Sequence, residues 1–156
     1  PALGPVMEDF PTDRLCEFLR AKRSCLTQLR DMSRRQMELI DSGEMTRLLD
    51  LLVVKQRMIE QLQRIERALD PFRGEPPEAR RWRSDDVKRC CADEAQQCEL
   101  LLAELMNREK QSEALLTRRR DEVAQRLQGV HRAAQARQSY LEAPQDGACQ
   151  LDVSAG

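Results

Sequence analysis

Between residues 15 and 39 the chain places a core-type side chain every three or four positions: Leu15, Phe18, Lys22, Cys25, Leu29, Met32, Gln36, Leu39. Leu19, Leu26 and Ile40 widen the line on one flank. This spacing puts them on one face of an α-helix. Thr12 offers an N-cap hydroxyl and Asp13 suits the positive helix end, which predicts a helix over 13–41. Ser42-Gly43 closes it, because Gly accepts the left-handed cap conformation cheaply. A second line runs Leu48, Leu51, Lys55, Met58, Leu62, Ile65, Leu69, flanked by Leu52 and Ile59, and predicts a helix over 44–69. The short connection makes the two helices antiparallel neighbours, an αα-hairpin in which the second is read as an inner strut.

Asp70-Pro71 is expected to end the second helix, since proline disfavours a helical residue before itself and lacks the ladder donor. Residues 70–84 are then a linker, with Phe72 and Trp82 placed to plug the end of the hairpin. Ser84 is the next N-cap, followed by Asp85 and Asp86, and no proline intervenes until Pro144. A third helix is predicted over 85–142, along Val87, Cys91, Cys98, Leu102, Leu105, Leu116, Val123, Leu127, Val130, Ala134 and Leu141. Gly129 costs about 1 kcal/mol relative to Ala within a helix and is the place for a bend. Residues 1–11, with Pro1, Pro5 and Pro11, read as a flexible arm, and residues 143–156 as a disordered tail.

The expected fold is all-α: an antiparallel bundle of three long helices with coiled-coil-like packing, forming a single helical domain over 12–142. Helices one and two span about 40 Å and the third about 85 Å. Folded back along the second, the third is covered only to about Ser112, and its remainder to Leu141 has no partner in the chain. An apolar stripe in water folds back, dimerises or takes a partner.

Composition agrees with thin helical seams rather than a thick core: aromatics are 3% and charged residues 34% of 156. The 26 basic and 27 acidic residues leave a net charge of −1, which argues against a general nucleic-acid binder. Cysteines stand at 16, 25, 90, 91, 98 and 149, mostly within helical patterns and without a Cys-x-x-Cys pair. They are read as reduced, small apolar residues of a cytoplasmic protein. No apolar run is long enough for a membrane span and no signal-type region opens the chain.

Candidate chemistry is sparse. His131 has no fixed partner, and Cys91 with Cys98 supplies too few ligands for zinc, so no metal and no cofactor is expected. No phosphate loop or nucleophile motif is present, and no enzyme activity is expected. Carboxylates alternate with arginines at i, i+4, as in Glu104–Arg108 and Glu122–Arg126, which reads as a solvated face. Arg80-Arg81-Arg83 and Arg118-Arg119-Arg120 are basic clusters, read as solvated charge or, as the rival, a contact with an acidic protein partner, ahead of nucleic acid. Lys22 and Lys55 interrupt apolar seams, where each must snorkel or pair, at a cost that fixes register.

Residues 40–69, IDSGEMTRLLDLLVVKQRMIEQLQRIERAL, resemble the middle of the FlgN-like flagellar export chaperones. The shared pattern is an acidic-Gly turn, paired leucines, a lysine and a Leu-rich helix, at Gly43, Leu48, Leu49, Leu52, Lys55, Ile59 and Leu62. Residues 100–127, LLLAELMNREKQSEALLTRRRDEVAQRL, and Tyr140 are similar to the second half of that family. Ser112 and Glu113 precede Leu115-Leu116 where Asn and Gly are common there. The resemblance implies a cytoplasmic, non-enzymatic type III export chaperone. Its clients would be late-exported hook-associated proteins, bound by their terminal helical segment to prevent premature assembly, with export apparatus components as further partners. It also implies that the last helix carries the client. The candidate binding residues are Leu116, Arg119, Arg120, Val123, Leu127, Val130 and Ala134. The alternative is a structural coiled-coil or adaptor protein that pairs with a second copy, a homo-dimer, through its third helix.

Overall fold

The computed structural model describes the backbone of residues 10–154 and the side chains of residues 10–142 other than Pro77. Three α-helices are found in the order α1 (Pro11–Ser42), α2 (Met45–Arg73) and α3 (Asp85–Ser154), with a short 3-10 turn at Pro77–Ala79. The described residues contain no strand, and the fold is all-α. The helical region expected over 12–142 falls into two compact units, Pro1–Leu115 and Leu116–Gly156. The first holds α1, α2 and α3 as far as Leu115; the second is the remainder of α3.

The cap that ends α1 and the cap that opens α3 follow from local chemistry. Gly43 takes φ 75°, its N–H donates to the Ile40 carbonyl at 3.2 Å, and the Glu44 N–H donates to the Leu39 carbonyl at 3.0 Å. These two bonds satisfy carbonyls that the end of α1 would leave orphaned. At the head of α3 the Ser84 hydroxyl accepts the Val87 N–H at 3.2 Å, as an N-cap should.

Three boundaries depart from the sequence reading. α1 begins at Pro11, with Phe10 as the N-cap, because proline at the first helical position loses a donor that has no helical partner anyway. Thr12 is therefore not a cap: it is buried and its hydroxyl donates to the Arg81 carbonyl at 2.7 Å, tying α1 to the linker. Of the arm expected over 1–11, residues 1–9 lie outside the described residues. Meanwhile Phe10 sits under the Arg83 guanidinium, 4.9 Å from its ring centre.

α2 continues through Pro71 to Arg73. So near the helix end the proline removes one ladder bond. Continuing the helix lets Phe72 pack beside Phe18, with centroids 6.5 Å apart, in the cluster holding Leu15, Cys16, Leu69 and Cys91. α3 is helical to Ser154, past the expected end at 142 and through Pro144, where a disordered tail was expected. The side chains beyond Glu142, and residues 155–156, lie outside the described residues.

Within the first unit α1 lies antiparallel to α2 and parallel to the start of α3. Lys22 on α1 meets Glu66 on α2 at 2.6 Å, while Arg23 meets Glu94 at 3.1 Å and the Ser33 hydroxyl donates to Glu109 at 2.7 Å. The buried residues form three layers. Leu15, Cys16, Leu69 and Cys91 lie near the linker, Cys25, Leu26, Leu29, Cys98, Leu101 and Leu105 in the middle, and Leu39, Ile40 and Leu48 near the hairpin turn.

The central helix is α1. It contributes ten buried residues, whereas α2 contributes only Leu48, Lys55 and Leu69. The reading of α2 as the inner strut is corrected accordingly. Met58, Ile59, Leu62 and Ile65 are half-buried, and Leu49, Leu52, Val53 and Val54 of α2 face solvent.

Lys55, expected to snorkel or pair, is 6% exposed and pairs. Its ammonium donates to Gln36 on α1 at 2.7 Å and to Glu109 on α3, and Glu109 also accepts from Ser33. One buried lysine thus links all three helices of the unit. Hydrogen-bonded pairing is the only cheap way to hold an ammonium there.

Candidate docking face

α3 from Leu116 onward has no buried residue among those whose side chains are described. Leu116, Val123, Leu127, Val130 and Leu141 are 43, 53, 64, 67 and 65% exposed. They recur at helical spacing, so they share one face rather than being scattered apolar side chains, which would need no explanation. Of the seven candidate residues, Leu116, Arg120, Val123, Leu127, Val130 and Ala134 lie on this line. Arg119 stands on its flank, where it pairs with Glu122 at 3.5 Å. Arg120 pairs with its neighbour Asp121 at 3.6 Å. The expected Glu122–Arg126 pair is thus replaced by Glu122–Arg119, while the expected Glu104–Arg108 pair forms at 2.9 Å.

Other chemistry-bearing groups lie in the first unit. Cys16 and Cys91 meet between α1 and α3; burial, then the neighbouring Cys16 thiol, pushes Cys91 up to about 12. Burial also raises Cys25 and Cys98, whose thiols point at the carbonyls of Met58 (3.4 Å) and Leu19 (3.5 Å). A thiol held protonated in this way is a weak nucleophile. Cys90 is exposed, beside the Arg20 guanidinium, and the five described cysteines are free.

A half-open cleft of about 550 Å³ is walled by Leu19, Leu69, Phe72, Trp82, Ala92 and Ala95. Cys91, Lys22, Lys88 and Glu99 also line it, with the Cys91 thiol held protonated by burial. Among the described residues no three His, Cys, Asp or Glu side chains gather as a metal site, and no helix is long and apolar enough to cross a membrane. His131 is exposed on α3.

Sequence periodicity located the α3 stripe. It missed the contact between Cys16 and Cys91 and the partners of Lys55, because periodicity states which residues share a face and not which faces meet. The exposed line Met45, Leu49, Leu52 and Val53 was also missed, although its i, i+4 spacing is visible in the sequence.

Comparison with protein-family models, with curated proteins and with solved structures finds no match to this chain.

Proposed function

We propose that this chain is a non-enzymatic helix-binding protein, acting as an export chaperone of the FlgN-like kind. It would take the terminal amphipathic helix of a late-exported hook-associated protein onto the second half of α3. The observation that carries this reading is the row of exposed apolar side chains at Leu116, Val123, Leu127 and Val130. Such a row binds a partner helix through its own i, i+3, i+4, i+7 anchors. Holding that segment would keep the client from assembling early.

The test is direct. Val123→Asp/Leu127→Asp in the full chain alters only exposed positions, so thermal unfolding should be unchanged. Affinity for a synthetic terminal-helix peptide of a hook-associated protein should fall at least tenfold. Retained affinity would remove the site from α3, and absence of binding by the wild type would remove the client class. The second reading, a self-pairing coiled coil, draws on the same heptad-like spacing. Sedimentation over a range of concentrations separates the two, since a dimer abolished by the double substitution belongs to the second.

A further inference from the structure

The proposed docking role leaves open which kind of helix the second half of α3 accepts, and its charge pattern answers this. Stepping alternately by four and three from Leu116 gives Arg120, Val123, Leu127, Val130, Ala134, Arg137 and Leu141. This is a heptad seam with Leu116, Val123, Val130 and Arg137 at d and Arg120, Leu127, Ala134 and Leu141 at a. The flanking g positions hold Arg119, Arg126, Ala133 and Tyr140, and the flanking e positions hold Thr117, Ala124, His131 and Gln138. Every charged residue on the seam and its flanks is an arginine. The three carboxylates of 116–142, Asp121, Glu122 and Glu142, fall at outer b and c positions. Arg120 meets Asp121 in an exposed surface pair at 3.6 Å, which is weak and readily exchanged, and Arg119 meets Glu122 at 3.5 Å.

This pattern discriminates among occupants. A second copy aligned in parallel would set Arg120 against Arg120 and Arg137 against Arg137. A fully overlapped antiparallel copy would set Arg120 against Arg137. Either way like charges meet in the seam being dried, which is how coiled coils reject a wrong partner. A helix lying on an anionic membrane uses a broad apolar face with large aromatic anchors. Here the stripe is one or two side chains wide, and Tyr140 is the only Phe, Tyr or Trp in it. Nucleic acid would leave Leu116, Val123, Leu127 and Val130 uncovered.

We propose that the surface formed by Leu116, Val123, Leu127 and Val130 with Arg119, Arg120, Arg126 and Arg137 takes an acidic amphipathic helix of another protein. That helix would lay apolar residues on the stripe and set Asp or Glu against the arginines. The proposal rests on the docking reading above and adds the partner's charge to it.

Two synthetic helices of about four heptads, both with Leu at a and d, test it. One carries Glu at e and g, the other Lys. Titrated against the full chain at low salt, the Glu helix should bind about tenfold or more tightly than the Lys helix. The preference should shrink as salt is raised, and Arg119→Glu/Arg126→Glu should reverse it. Equal affinity, or a preference for Lys, overturns the acidic partner while leaving docking in place. Binding of neither helix overturns docking as well. Two further results overturn the proposal in favour of another occupant. One is a dimer of the free chain abolished by Leu127→Asp; the other is capture by anionic vesicles that is lost in Arg119→Glu/Arg126→Glu.

Discussion

Replacing Glu109 by Ala should destabilise the first unit more than replacing Lys55 by Met, although both changes break the same ion pair. The asymmetry follows from burial: the Lys55 side chain is 8% exposed and the Glu109 side chain 39%. In Glu109→Ala the ammonium stays in the bundle with Gln36 as its remaining acceptor, and the Ser33 hydroxyl must turn to its own helix backbone. An orphaned buried charge costs 3–5 kcal/mol, and the bond retained to Gln36 puts the figure at about 3 kcal/mol. In Lys55→Met the new side chain fills similar length without charge, the Glu109 carboxylate rehydrates, and one acceptor on Gln36 is left short. That costs about 1 kcal/mol. With an m-value of about 2 kcal/mol/M, the urea midpoints of the two variants should lie roughly 1 M apart. The double variant should cost less than the sum, with a coupling of about 1–2 kcal/mol. A Lys55→Met variant as unstable as Glu109→Ala, or a coupling near zero, would refute the argument that the buried lysine is the liability.

A chain ended at Leu115 keeps every contact of the three core layers, so its thermal midpoint should stay within about 3 °C of the full chain. A larger loss would mean that residues beyond 115 support the bundle. With Cys149→Ser in place, iodoacetamide should modify Cys90 first and leave Cys16, Cys25, Cys91 and Cys98 protected in the folded protein, read by mass spectrometry of peptides. Glu66 is raised by partial burial, but hydrogen bonding and charge from Lys22, with Arg73, outweigh this and hold it below the ordinary carboxylate value. A carboxyl depressed by folding stabilises above its unfolded value and loses that contribution as pH falls through the folded one. The advantage of wild type over Glu66→Gln in urea should therefore be present at neutral pH and disappear on acidification below the carboxylate range. A pH-independent difference would count against the Lys22–Glu66 contact.

Much of the architecture can be traced to local rules. The seam of α1, the Gly43 cap and the Ser84 cap each rest on a few adjacent residues, and each appears where those residues put it. Comparing helix lengths placed the end of cover near Ser112, which is 1% exposed, and the first unit ends at Leu115. What local rules did not contain were contacts made at long range. Thr12 has the chemistry of a cap, yet the linker carbonyl of Arg81 claims its hydroxyl. Asp70-Pro71 has the chemistry of a stop, yet packing of Phe72 carries α2 another turn. The seam of α2 is as regular as that of α1, so periodicity could not tell which helix lies between the others. For the candidate docking face, apolar spacing and charge were both readable; the exposure of each side chain was not.

The parallel course of α1 and the start of α3 has a consequence for how the chain folds. The contacts between α1 and α2 nearer their turn close over short separations, 19 residues for Lys55–Gln36 and 33 for Cys25–Met58. Those joining α1 to the linker and α3 span 69 to 79 residues. Short loops close first because their entropic cost is lower, so the hairpin forms before α3 docks. During synthesis at about 5–20 residues per second, the stretch from 73 to 112 follows the hairpin by about two to eight seconds. For that interval Leu26 and Leu29, sealed in the finished bundle, lie open to any apolar surface nearby. The nascent hairpin is then the species most in need of protection from aggregation.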